Sequence, residues 1–298
     1  MRHALSIDVE DWPQSVFDHA LPVTERFRVG MDRALELLDR AGVRATLFVL
    51  GLLARKYPGW LRRVHEAGHE VQIHGFDHTE VHRLGREAFR QDLLRAKGAV
   101  EDAIGAAVCA YRAPRFSITA GNLWALDVLA DEGFEYDSSI FPMALRGYGI
   151  PGWPARIHRL KTATGRELFE VPVATLSWLG RRWPIGGGGY FRILPDRIIR
   201  WGLARLERLD IPAVIYCHPH EFDPQAFDQL DFTVPMPTRL HQGLGRSGFE
   251  RKMSNLLDEF RFGPIRNLLP ARPVTAPMEA RDGVGPQTPG GCYGQEAG

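Results

Sequence analysis

The chain has 298 residues, 44% of them hydrophobic, and a formal net charge of +1. That length suits one large α/β domain or one domain with an appendage, and a near-neutral total gives no electrostatic argument for nucleic acid or for an anionic membrane surface. Three widely spaced cysteines, Cys109, Cys217 and Cys292, exclude a disulfide framework and a Cys-x-x-Cys metal clamp. Met1-Arg2-His3 leads straight into the apolar Ala4-Leu5-Ser6-Ile7, and no stretch reaches the roughly 18 continuous apolar residues of a spanning helix. These features predict a soluble, cytoplasmic protein.

Ala4 to Ile7 reads as a short strand ending in Asp8-Val9-Glu10-Asp11-Trp12, where three carboxylates would repel one another unless a cation or a paired base sits among them. Met31 to Ala41 carries one apolar helical stripe that Gly42 stops, and Val43 to Leu50 follows as a strand apolar enough to be buried on both faces. Pro58 opens a helix running to Ala67. Val71-Gln72-Ile73 is then a strand broken by Gly75, with His74 and His78 four residues apart, facing the same way if the loop turns helically. A helix over 86–103, a strand over 107–111, a helix through Leu123, Leu126 and Leu129 and a strand over 134–136 continue the alternation. Leu168 to Val173 and Ala213 to Cys217 are further strands, and 196–209 and 249–260 further helices.

Residues 143–166 and 222–248 read as loops, and the run Gly186 to Gly189 before Tyr190-Phe191-Arg192 lacks the Lys-Ser/Thr of a phosphate loop. A substrate-facing loop whose backbone approaches a sugar is preferred there. Three regions are expected: 1–222 as the main domain with inserted loops at about 143–195, 223–270 as an extension packed on it, and 271–298 as a disordered tail rich in Pro and Gly.

Asp8, His74, Arg112, Asp137 and His218 all fall at, or one residue past, the C-terminal end of a predicted strand. In a β/α barrel those ends converge and carry the active site. Two histidines need one more oxygen donor and an open position to make a catalytic metal site.

The order of acidic strand end, His-x-x-x-His, Arg-x-Pro, Asp-Ser-Ser and late His resembles the polysaccharide deacetylases, the NodB-homology group or carbohydrate esterase family 4. Asp-Val-Glu-Asp-Trp, Tyr-Arg-Ala-Pro-Arg-Phe-Ser-Ile-Thr, Tyr-Asp-Ser-Ser-Ile-Phe-Pro, Gly-Gly-Gly-Tyr-Phe-Arg and Phe-Arg-Phe-Gly-Pro are similar to the branch found with exosortase-type exopolysaccharide systems. The resemblance implies an α/β fold, a distorted seven-stranded (β/α) barrel, and metal-dependent removal of N-acetyl groups from a polysaccharide or oligosaccharide during exopolysaccharide biosynthesis.

Carried over residue by residue, Asp8 is the general base and Arg112 its partner. His218 protonates the leaving amine, Asp137 orients that acid or lines the cleft, and His74 and His78 hold the metal. Most members have two adjacent aspartates where this chain has Asp8-Val9-Glu10-Asp11. Asp11 is favoured as the third ligand and Glu10 stays open. Arg115, Tyr190 and His220 are the implied substrate-binding residues. Two histidines and a carboxylate accept Zn²⁺, Co²⁺, Ni²⁺ or Mn²⁺, with zinc favoured here. The alternatives are a hydrolase of small cyclic amides and a non-catalytic glycan-binding protein on the same fold.

Overall fold

The computed structural model describes residues 2–270, apart from 146, 228, 229 and 231. The tail expected at 271–298, with Cys292, lies outside the described residues. The first half alternates as β1 (His3–Val9), α1 (Arg26–Arg40), β2 (Thr46–Val49), α2 (Gly51–Lys56), α3 (Pro58–Glu66), β3 (Glu70–Ile73), α4 (Arg86–Ile104), β4 (Ala110–Tyr111), α5 (Trp124–Asp131) and β5 (Tyr136–Asp137). It continues through β6 (His158–Lys161), β7 (Glu167–Glu170), β8 (Thr175–Trp178), β9 (Arg181–Pro184), α6 (Gly188–Ile193), α7 (Asp196–Arg208) and β10 (Val214–Cys217). α8 (Met236–Gly243), α9 (Phe249–Glu259) and β11 (Phe262–Gly263) complete it.

The main sheet runs β10-β1-β2-β3-β4-β5-β7-β6, and β11 pairs with β1. Neighbours from β10 to β7 are parallel, and β6 adds an antiparallel edge. The sheet thus has nine strands among the described residues, where seven were expected. It curls, and residues 171–187 bridge its two ends. Ala174 N donates to Val214 O at 2.9 Å, and Tyr216 N to Gly186 O at 2.7 Å. The glycine run serves this bridge first: a Cβ on Gly187 would lie 2.2 Å from Tyr216 O, and one on Gly186 2.7 Å from Ala174 N. Its approach is to the protein's own backbone.

Strand alternation assigns the two faces. Leu5, Ile7 and Val9 join the large core shared with the helices, and Ala4 joins a second cluster with Phe48, Ala110, Tyr136 and Val214 inside the curl. The C-terminal segment closes this interior at the strands' N-terminal end. Ile265 N donates to Thr46 Oγ1 at 2.7 Å, Arg266 N to Glu70 at 3.2 Å, and Ile265 is fully buried. The opposite end is left for the site.

β6, β8, β9, α2 and α8 were not expected. β6 and β9 alternate half-buried with exposed residues and carry sequences such as His-Arg-Leu-Lys and Arg-Arg-Trp-Pro, so pairing with a neighbour makes them strands rather than apolar content.

Candidate metal and active site

Asp8 lies in β1, Asp137 ends β5, and His74, Arg112 and His218 each stand one residue past β3, β4 and β10. A cavity of about 230 Å³ opens there, lined by Asp8, Glu10, His74, His78, His218 and His220 among others, with Phe116, Tyr148 and Tyr216 as aromatic wall.

Glu10, His74 and His78 present ligand atoms within 4.8 Å of one another, all buried. His78 Nε2 lies 2.8 Å from Glu10 Oε2. The two rings, with centroids 5.4 Å apart, meet through a left-handed turn and not a helical one: Gly75 has φ 78° and His78 φ 71°. His74 Nδ1–H donates to Arg112 O at 2.8 Å, because a carbonyl can only accept, and this leaves Nε2 as a free lone pair. Burial lowers His74 to about 4, so it is neutral at pH 7. Burial pushes the Glu10 carboxyl up, yet the charge and hydrogen bond of His78 outweigh it and bring Glu10 to about 2.

Asp11, the expected third ligand, stands apart from the two histidines in this structure. Its carboxylate accepts from Thr24 N at 2.7 Å and from Thr24 Oγ1 at 3.0 Å, pinning the chain just ahead of α1. Successive strand-end residues face opposite ways, so Glu10 joins the histidines and Asp11 is used for structure.

Arg112 is fully buried. Its Nη1 donates to Asp8 Oδ1 at 2.7 Å and to Ser6 Oγ at 2.8 Å, and its other nitrogens donate to Ser138. Its guanidinium lies over the Phe48 ring at 4.3 Å, so its position is set from three sides.

His218 is oriented by Glu221 and not by Asp137. Glu221 accepts from His218 N at 2.9 Å, lies 3.3 Å from His218 Nδ1, and is itself held by Arg192 Nη1 at 3.1 Å. Burial lowers His218, but the Glu221 hydrogen bond and charge, with Glu10 and Asp8, raise it to about 9. Asp137 instead accepts from Ser139 N and Oγ and shares a hydrogen bond with Glu170. It does not line the cavity. Glu221 and Arg192 were missed; the signal available was His218-Pro219-His220-Glu221, an acid three residues after a strand-end histidine.

Of the remaining expected residues, His220 lines the cavity and stacks on His218 with centroids 5.0 Å apart. Burial and the charges of Arg246, His218 and Arg192 keep it well below the usual histidine range, hence neutral. Arg115 lines the cavity in a left-handed conformation, φ 54°, its Nε 3.2 Å from Glu80. Tyr190 stands 43% exposed outside the lining, while Gly188, Gly189 and Arg192 around it are in the wall.

The chain is 28% identical over 154 residues to a peptidoglycan deacetylase-like protein of Gibberella zeae, covering 51% of this chain and 42% of that one. It is 31% identical over 96 residues to a chitooligosaccharide deacetylase of Bradyrhizobium sp., covering 32% and 42%. It therefore spans less than half the length of these relatives. A Mycobacterium smegmatis protein assigned as a polysaccharide deacetylase shares the fold at TM-score 0.60 and 20% identity, covering 93% of this chain and 95% of that one. The Puue allantoinase structure shares it at TM-score 0.57 and 14% identity, covering 88% and 86%. Residues 14–134, which carry His74, His78 and Arg112, match the polysaccharide deacetylase family model, whereas His218 and Glu221 lie in residues 138–270, which match a domain of unknown function (DUF3473).

Proposed function

We propose that this protein is a metal-dependent deacetylase that hydrolyses acetamido groups of an N-acetylated glycan. The observation that carries the reading is one cavity lined by a carboxylate held by a buried arginine, an imidazole held by a buried glutamate, and the Glu10–His74–His78 cluster. Two imidazoles, one of them neutral with its lone pair free, and one carboxylate fit a divalent cation of the zinc type. When bound there, the cation supplies Lewis acidity, which makes water acidic near neutral pH and polarises an acetyl carbonyl.

The chain's own groups do the rest. Asp8 accepts a proton from the attacking water at the carboxylate oxygen left free by Arg112, whose Nη1 holds the carboxylate in place. His218 donates a proton to the departing amine nitrogen, and Glu221 holds the ring so that this proton is present at neutral pH. The aromatic wall of Phe116, Tyr148 and Tyr216 offers faces for a sugar ring and keeps bulk water away.

The motifs similar to the exosortase-associated branch support a glycan made in exopolysaccharide biosynthesis in the cytoplasm, and the set of two imidazoles and one carboxylate supports zinc as the metal. The testing experiment measures acetate release from acetylated glucosamine oligomers and bound metal together, in wild type and Asp8→Asn. Wild type is expected to release acetate and Asp8→Asn to keep its metal while losing activity by about 10²-fold or more. Wild type that binds metal yet leaves acetylated sugars intact would reopen the substrate class, beginning with cyclic amides.

A further inference from the structure

A second surface stands apart from the cavity lining, formed by the β8–β9 hairpin and the outward face of α7. α7 turns Ile199, Gly202, Leu203 and Leu206 inward, leaving Arg197, Ile198, Trp201 and Arg208 exposed. A Cβ on Gly202 would lie 3.0 Å from Ile185 and 3.8 Å from Leu176, and Trp201 meets Trp178 edge-on at 5.5 Å, so helix and hairpin form one unit.

That unit exposes large apolar groups together: Leu179 at 79%, Trp183 at 45%, Trp178 at 43%, Ile198 at 41% and Trp201 at 39%. Leu179 and Gly180 form the two-residue tip between paired Trp178 and Arg181, with φ 50° and 71°. Such a turn suits Asn-Gly, and a leucine in the left-handed region is strained because its Cβ crowds the following carbonyl oxygen. A leucine is thus held out into solvent against its own backbone preference.

The charged side chains on the hairpin and on the outward face of α7 are arginines. Arg181, Arg197 and Arg208 are exposed, and Arg205 lies 6.0 Å from the Trp201 ring. The acids of α7, Asp196 and Glu207, lie on its other side, where Asp196 accepts from Asn255 at 3.1 Å and Glu207 lies 3.5 Å from His3.

We propose that this surface docks the protein on an anionic phospholipid bilayer, with the tryptophans and Leu179 at headgroup depth and the arginines against lipid phosphates. Tryptophan favours that depth, and cations near an anionic leaflet gain from its surface potential. A sugar-stacking platform fits less well, because Trp178 and Trp201 cross at 75° and Leu179 and Ile198 offer no ring face. The proposal does not depend on the reaction assigned to the cavity. The two are connected in space: Arg182 donates to the carbonyls of Pro142 and Trp153, tying the hairpin to the loop that carries the cavity residue Tyr148.

The test is co-sedimentation of the full chain with vesicles of phosphatidylcholine alone and of phosphatidylcholine mixed with phosphatidylglycerol, read with tryptophan emission. Wild type is expected to partition onto the mixed vesicles, with emission moving to the blue and binding weakening as salt is raised. Arg181→Gln with Arg197→Gln should lower that partition about thirtyfold. Trp178→Ser with Leu179→Ser should abolish most of the emission shift, with the thermal midpoint of both double variants kept as the control for folding. Folded wild type that ignores mixed vesicles at low salt would overturn the proposal, and so would equal partition of wild type and both variants. An emission shift driven by N-acetylglucosamine oligomers and not by vesicles would identify a glycan platform and overturn it as well.

Discussion

Glu10 and Asp11 are adjacent carboxylates on one strand end, and their neighbours separate them. Glu10 faces two imidazoles, whereas Asp11 is filled by the Thr24 amide and hydroxyl. Glu10→Gln is therefore expected to weaken metal affinity by more than about a hundredfold, beyond the range seen for loss of a group behind a ligand. Asp11→Asn should keep the metal and cost at most about 1 kcal/mol of stability, since an amide oxygen still accepts from Thr24 N. Metal titration and urea unfolding of the two variants check this, and the reverse pattern would return the ligand role to Asp11. His218 offers a pH test. Its folded value of about 9 lies above the ordinary 6.5, so the protonated acid is present below that value and activity falls as pH rises through it. Glu221→Gln removes the stabilising charge and should move the alkaline limb of kcat/KM down by about one unit or more. An unmoved limb would mean that Glu221 holds the loop and does not tune the acid.

At the level of elements, Asp137 and Glu170 hold β5 and β7 side by side. Burial raises Asp137 to about 6 and, with the nearby Asp137 charge and hydrogen bond, Glu170 well above the carboxylate range. Both folded values exceed the unfolded ones, so the stability they contribute is complete below about pH 4 and is lost as pH rises through about 6 and beyond. Glu170→Gln needs no shared proton, and its amide can still bond Asp137. The expected result is a thermal midpoint that declines less than wild type's between pH 5 and pH 8 (roughly the window in which the Asp137 value falls). Parallel pH profiles would show that the pair titrates together with its unfolded form. The elements were legible where apolar periodicity was strong: 58–67 became α3, 196–209 became α7 and 249–260 became α9, each within a residue or so. β6 and the β8–β9 hairpin were not, because their half-exposed sequences acquire strand geometry only from a partner.

Across the whole molecule, the candidate site and the closing segment occupy opposite ends of one curled sheet. Ile265 fills the interior beneath Ala4, Phe48 and Val214, and its amide bonds Thr46. Ile265→Ala should destabilise the fold by about 2–5 kcal/mol in urea unfolding, and a loss below about 1 kcal/mol would show the segment to be a loose cover. The sequence by itself determined that strands alternate with helices and that Asp8, His74, Arg112 and His218 sit at strand ends, because apolar runs, glycine stops and strand polarity are local properties. Which carboxylate faces the histidines, which acid steadies His218, and what the glycine run touches were decided by tertiary structure. Side-chain direction at a strand end, a left-handed turn at His78, and the approach of Gly187 to Tyr216 depend on partners far along the chain, and those partners exist only once the sheet has curled.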